Sequence, residues 1–436
     1  MTDAMRLAVK AMDFVREIGT VTQFFGLVIE SDGPNVFLGE RCEIYIKTQA
    51  KPIPAEVVGI KNGRVLLMAY GDMTGIQLGS EVVGTGKAAQ VAVGEALLGR
   101  VIDGFGEPLD GLPLTNINEH YPHYANPMNP LNRPRISEKL ETGIRAIDTF
   151  LTLGKGQRIG IFSGSGVGKS TLLGMLARNT KAHVNVIALI GERGREVLEF
   201  IEQSLGGEGL ARSVVIVATS DQPALVRSHA VFAATAIAEY FRDQGRDVLL
   251  TMDSITRYAM AQREIGLAIG EPPTARGYTP SVFAMLPRLL ERGGTSVNGG
   301  SITALYTVLV EGDDVNDPIA DSIRSILDGH IVLTRELAQQ GHFPAIDILQ
   351  SNSRLINQLI GESQQTLVQK GLKAMSDYMN AKDMIDIGAY QHGSNQDIDE
   401  AIKRVPELKH FLTQQLHERI SEDTNITTMQ KLFGEN

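Results

Sequence analysis

A single cysteine, Cys42, stands in 436 residues, so no disulfide can close within the chain. It lies in an apolar, strand-like run where a buried thiol is expected, and both points fit a reducing cytoplasm. Long hydrophobic runs are missing as well: no uninterrupted apolar segment approaches the roughly 18 residues that a membrane span requires. The opening residues carry Asp3, Asp13 and Glu17, which excludes a secretory signal. Met5, Val9, Met12 and Val15 recur there at helical spacing. The expectation is an amphipathic helix that packs on its own domain or on a protein partner, ahead of peripheral membrane association. Positive charge is in the minority, and a formal net charge of -10 works against general attraction to nucleic acid or anionic lipid, although a local basic groove is compatible with it. Internal repeats and low-complexity tracts are also lacking.

What is present is an ordinary globular composition, with 43% hydrophobic and 21% charged residues, in a chain too long for one core. The reading is multidomain. From about Thr20 to Gly86, short runs (Thr22 to Glu30, Glu43 to Lys47, Arg64 to Ala69) are separated by Gly, Asn, Asp and Pro, which predicts a small N-terminal β-barrel or sandwich. Gly94 to Gly111 is glycine-rich, and Pro127, Pro130 and Pro134 mark an irregular connection. From about Glu141 to Glu362, strand-like runs (Arg158 to Phe162, Val184 to Ile190, Val214 to Ala218, Val248 to Met252, Ile302 to Val310) alternate with helical patterns. That alternation predicts a central α/β domain with a mainly parallel sheet. Helical spacing over Leu367 to Tyr378 and Asp397 to Arg419 predicts a C-terminal helical domain. The expected divisions are 1–19, 20–88, 89–364 and 365–436.

The strongest chemical signal is Ser163-Gly164-Ser165-Gly166-Val167-Gly168-Lys169-Ser170-Thr171, between the apolar run Ile159 to Phe162 and the helical run Leu172 to Arg178. Strand, glycine loop and helix occur in the order that cradling a phosphate requires. Small residues let backbone N–H groups converge on phosphate oxygens, and the helix N-terminus adds favourable partial charge. Lys169 can reach the β- and γ-phosphates of ATP, and the Ser170 hydroxyl can ligate Mg2+. The full phosphate-loop pattern has glycine where this chain has Ser163, and serine fits only if that backbone does not need a positive φ.

A second run, Val248 to Met252, ends on Asp253, at the carboxyl end of a strand, where open α/β sheets bind ligands. Paired with the phosphate loop, Asp253 is expected to hold Mg2+ through water. A third run, Val184 to Ile190, leads into Gly191-Glu192-Arg193-Gly194-Arg195-Glu196. A carboxylate beside the γ-phosphate would orient and polarise the attacking water, and Glu192 is the choice for it. From spacing alone, a salt-bridged turn explains Glu192 equally well.

This segment resembles the glycine-glutamate-arginine motif of catalytic subunits in the rotary (F/V-type alpha/beta subunit) ATPase superfamily, where the matching glutamate is the catalytic carboxylate. Pro344 to Ser353 resembles the superfamily signature of proline, small residue, aliphatic, acid and Ser-x-Ser. The resemblance implies a RecA-like P-loop ATPase domain. It makes Arg354 an arginine finger entering a neighbouring subunit's site, Arg257 an arginine near the γ-phosphate, and Phe343 an aromatic against adenine; without it, Arg354 reads as a surface arginine and Phe343 as core. Gly191 to Phe200, Tyr306 to Asp321 and Ile385 to Tyr390 look most like type III protein export ATPases, the flagellar branch first and the injectisome branch next. Such a family implies a homohexamer, monomeric or of lower order when isolated, and a cytoplasmic enzyme associated with the inner-membrane export apparatus. It also implies a stator-like regulator, which the segment before Ile18 would dock, a central coiled-coil stalk protein, a membrane export gate and chaperone-bound export substrates. No nucleic-acid partner is expected. A catalytic or noncatalytic subunit of a rotary ion pump, and more distantly a Rho-like RNA translocase, remain as alternatives. The acidic residues Glu311, Asp313, Asp314, Asp317 and Asp321 lack calcium-loop spacing and read as a hydrogen-bonded or solvated loop, here facing a ring's central opening.

Overall fold

In the computed structural model, residues 17–47, 49–310 and 317–434 are described. The expected N-terminal helix and Glu311, Asp313 and Asp314 lie outside them. Six strands, β1 (Ile18–Phe25), β2 (Val28–Ser31), β3 (Glu40–Tyr45), β4 (Ile53–Lys61), β5 (Arg64–Ala69) and β6 (Glu81–Ala88), close a barrel in the order β1-β2-β5-β4-β3-β6. Alternate residues such as Val21, Ile29, Ile44, Val57, Leu67 and Val82 fill its interior, as period-two patterning requires. Cys42 is fully buried among them, and burial pushes its thiol up to about 12, which leaves it inert. The run Thr22 to Glu30, expected as one strand, is a hairpin: Phe25 pairs with Val28 across Gly26 and Leu27. An apolar turn residue hid the break, while Gly26 supplies the positive φ of 56° that a two-residue turn uses.

The central sheet contains β7 (Val101–Ile102), β8 (Arg158–Ser163), β9 (Val184–Ile190), β10 (Ser213–Ala218), β11 (Asp247–Asp253), β12 (Ser301–Leu309), β13 (Gly329–Leu333) and β14 (Asn352–Ser353). Their order is β14-β13-β8-β12-β11-β9-β10-β7, with the short strand Gly294–Thr295 paired off that path to β12. All ladders along the path are parallel except β13–β14. A parallel sheet covered on both faces reads as continuous apolar sequence, and β9 shows how the faces divide. Val184, Val186, Ala188 and Ile190 join one core with helices α2 (Ala224–Asp243), α3 (Ile255–Ala268), α4 (Pro280–Leu290) and α5 (Pro318–Ile326). Ile187 and Leu189 join the other, beneath α1 (Lys169–Asn179). Asp317 caps α5, its Oδ1 accepting from the N–H groups of Ile319 and Ala320 at 2.9 Å each, and Asp321 sits in the first turn.

The tail forms α6 (Glu362–Asp386), α7 (Gln396–Leu412) and α8 (Glu422–Phe433). Leu367, Met375, Val405, Leu408, Phe411 and Met429 carry it into the core beneath α1. The helix expected to run to Arg419 stops at Leu412. Tertiary hydrogen bonds take the chain out of it: Gln414, 4% exposed, donates its N–H to the Phe343 carbonyl at 2.8 Å. The Gln414 side chain donates to the Gly143 carbonyl at 2.7 Å and accepts from the Arg145 N–H at 3.0 Å. No helix among the described residues is long and apolar enough to cross a membrane.

Candidate functional site

Three strands deliver the sequence motifs to one place. β12 runs between β8, which ends in the glycine loop, and β11, which ends in Asp253; β9, on the far side of β11, leads to Glu192. A cleft of about 740 Å³ opens above these carboxyl ends. Loop residues Ser163 to Gly166 and Gly168 to Thr171 line it, together with Gly191, Glu192, Arg193, Glu196, Ser220, Thr256, Arg257, Met260, Leu309, Val310 and Arg335.

Ser163 is the last residue of β8, paired with Leu309 and Leu333. Its backbone is therefore extended, which explains why serine is tolerated where the motif has glycine. The positive φ angles fall on Gly166 (77°) and Gly168 (90°), where a side chain would be strained. Val167 anchors the loop in the core at 1% exposure, and α1 starts at Lys169, so its free N–H groups face the cleft.

Lys169 makes an ion pair with Asp253 Oδ1, and its Nζ lies 3.4 Å from Glu192 Oε1. Burial opposes the ammonium charge, but the two carboxylates outweigh it and raise its pKa. Asp253 is 3% exposed, and the same Oδ1 accepts a 2.7 Å hydrogen bond from Thr307 Oγ1. Glu192 responds in the opposite sense: burial, then repulsion from Asp253, raises its carboxyl to about 7 against the opposing pull of Lys169. A carboxyl titrating near neutrality in a cleft marks a group suited to proton transfer.

Arg257, in the first turn of α3, packs against Gly191, where an added Cβ would come within 3.0 Å of its side chain. Its buried Nε has no hydrogen-bond partner. Phe343 is 42% exposed rather than core; its ring edge would lie 3.4 Å from a Cβ on Gly168, beside the loop. Arg354 is exposed and does not reach this cleft. It follows Ser353, which pairs with Gly329 at the start of β13, at the opposite end of the sheet from the glycine loop.

Two contributors carry no motif. Arg335 brings another cation to the cleft; only its place just after a strand could have pointed to it. Thr307 left a clearer trace, as a fully buried hydroxyl near the carboxyl end of β12, where a polar side chain needs a partner. The donors available to a metal, the Ser170 hydroxyl and the Asp253 carboxylate, are hard oxygens that suit Mg2+, an ion that takes its remaining ligands from water and phosphate. Among the described residues no group of three or more His, Cys, Asp or Glu could hold a metal alone.

Residues 143–353 match the nucleotide-binding domain of the ATP synthase alpha/beta family, 21–86 that family's beta-barrel domain, and 360–431 the T3SS EscN ATPase C-terminal domain. The chain is 54% identical over 434 residues to the flagellum-specific ATP synthase of Bacillus subtilis, covering 99% of each. It is 49% identical over 399 residues to the type 3 secretion system ATPase of Xanthomonas euvesicatoria, covering 92% of this chain and 90% of that one. Among solved structures, the assembled ATPase EscN of the enteropathogenic E. coli type III secretion system superposes with a TM-score of 0.90 at 45% identity, covering 95% of this chain and 99% of that one. EscN in complex with its central stalk EscO gives a TM-score of 0.88 at 44% identity, over the same shares of the two chains.

Proposed function

The chain belongs to the ATP synthase alpha/beta family, in the branch of flagellum-specific and type 3 secretion ATPases, and we propose that it hydrolyses ATP as a homohexameric ring to energise flagellar protein export. The observation that carries the chemistry is the convergence of Lys169, Asp253 and Glu192 above the ends of three strands. In this reading Lys169 leaves Asp253 for the β- and γ-phosphates, and the N–H groups of the loop and α1 cradle their oxygens. Ser170 and Asp253 would hold Mg2+, which would supply neutralisation of phosphate charge. Glu192 as carboxylate orients the attacking water and accepts its proton. Arg257, against Gly191, faces the charge that develops on the transferred phosphoryl group, and Phe343 offers its exposed face to adenine.

Arg354 completes the site from the neighbouring copy, where a guanidinium stabilises the transferred phosphoryl group; its distance from its own cleft and the assembled state of the EscN relative support this. A central stalk protein is proposed on the same ground, since the relative EscN binds EscO. A stator-like regulator, an export gate at the cytoplasmic face of the inner membrane and chaperone-bound substrates complete the reading. The higher identity to the flagellar relative favours the flagellar branch, and Glu192 favours a catalytic subunit over a noncatalytic one.

Steady-state hydrolysis by Glu192→Gln is the test. The variant should bind a fluorescent ATP analogue like the unaltered protein while turnover falls by about 10²–10⁴-fold. Near-normal turnover would remove Glu192 from the mechanism.

A further inference from the structure

We propose that Thr307 is a positioning residue for the metal-linked part of nucleotide binding: its hydroxyl holds Asp253 in place when Lys169 leaves that carboxylate for the phosphates. The inference rests on the MgATP reading above and goes beyond it by assigning a residue from β12, the strand between the two that lead to the glycine loop and to Asp253. Thr307 pairs with Ile161 on one side, and on the other its predecessor Tyr306 pairs with Met252, so Thr307 comes level with Asp253. Its side chain is fully buried and its Oγ1 donates at 2.7 Å to Asp253 Oδ1.

Two donors converge on that one oxygen, Thr307 and Lys169, whereas Oδ2 accepts no hydrogen bond from the described residues. The two donors differ in what they can do. Lys169 sits on a flexible stem at the N-terminus of α1 and is the group that phosphate attracts. Thr307 is β-branched, held within the paired part of β12, and cannot follow it. When Lys169 departs, Oδ1 keeps one fixed donor, the carboxylate keeps its orientation, and Oδ2 remains without a donor from the described residues. Without the hydroxyl, the carboxylate is free to rotate in a nearly sealed position and a metal ion must immobilise it on binding, at a cost in affinity.

The measurement is equilibrium binding of a fluorescent ADP to the full chain, with Mg2+ and with excess chelator, for the unaltered protein and for Thr307→Val and Thr307→Ser. The unaltered protein should bind more tightly with Mg2+. Thr307→Val, nearly isosteric, should lose about tenfold of that enhancement while affinity in chelator stays unchanged. Thr307→Ser, which keeps the hydroxyl, should restore it. A loss of equal size with and without Mg2+, or an undiminished Mg2+ enhancement in Thr307→Val, would overturn the assignment. If the unaltered protein itself shows no Mg2+ enhancement, the metal reading of Ser170 and Asp253 fails and takes this inference with it. Should Thr307→Val not fold, Thr307→Ala against Thr307→Ser makes the same comparison, with equal enhancement in the two counting against the role.

Discussion

Two buried polar clusters lie on the nucleotide domain, and they are built on opposite plans. Above the sheet, Lys169 and Glu192 line a cleft open to solvent, Lys169 pairing with both Glu192 and the buried Asp253, next to an unpartnered Arg257 Nε. At the junction with the barrel, His229 on α2 places Nε2 2.6 Å from Oε2 of Glu56 on β4, and its Nδ1 lies 2.8 Å from Nδ1 of His123. Tyr70 and Tyr124 donate to the same Glu56 carboxylate at 2.6 and 3.3 Å. Below them Arg292 makes a two-pronged pair with Glu239 at 2.9 and 2.6 Å and donates to the His123 carbonyl at 2.5 Å. Both histidines are fully buried, and Glu56 and Arg292 nearly so. The difference teaches what buried charge is for in each place. The junction cluster is sealed and ties four chain segments together, with His123 Nε2 left without a partner among the described residues; the cleft instead opens Lys169, Glu192 and Arg257 to solvent, where a ligand could reach them.

The largest effect should come from Arg354, proposed above to complete the cleft from a neighbouring copy. In assembled protein, Arg354→Ala should cost about 10³-fold in turnover with nucleotide affinity largely kept, read from steady-state rates and fluorescent-nucleotide titration. Unchanged turnover would break the view that the cleft is completed from outside. The junction should respond in stability instead. Arg292→Ala leaves the Glu239 carboxylate buried and unpaired, a loss of about 3–5 kcal/mol measured by urea unfolding. The double variant Arg292→Met with Glu239→Leu should recover most of it, and turnover per folded molecule should barely change. If Arg292→Ala instead altered turnover at constant stability, the two clusters would not be separable.

The two clusters were not equally legible in the sequence. The cleft was readable because its chemistry imposes local order: strand, glycine loop and helix for Lys169, and strand-end carboxylates for Asp253 and Glu192. β9 and β5 match the expected strands residue for residue, since their apolar runs end at a glycine or a polar turn. The junction left no such mark. Glu56, His123 and His229 are 67 and 106 residues apart in turn, and each alone reads as an ordinary strand or helix residue until the barrel is docked. Thr307 was lost for the same reason, its partner being 54 residues away. The early end of α7 also has a tertiary cause, the capture of Gln414 by Gly143 and Phe343.

The smallest expected effect, and the sharpest comparison, is a titration, because the two clusters are linked to pH with opposite signs. Burial holds the Glu192 carboxyl above its ordinary 4.5, at about 7. A raised carboxyl favours the folded state while protonated, so that contribution is present below about 4.5 and is lost as pH rises toward 7. Burial holds His123 well below 6.5, with the neighbouring His229 and Arg292 acting in the same direction. Its neutral ring therefore destabilises the fold as pH falls through 6.5, where the unfolded chain takes up a proton and the folded one does not. Between pH 5 and 7 the two contributions oppose each other in the unaltered protein. Glu192→Gln removes only the first, so its unfolding free energy should climb more steeply over that interval, by about 1 kcal/mol once screening at the open cleft is counted. Activity follows the cleft alone: kcat/KM, which reports the free enzyme, should drop about tenfold per pH unit below about 7 as Glu192 takes up its proton. Parallel stability curves for the two proteins would place the Glu192 carboxyl back in the usual range and leave that activity limb without its cause.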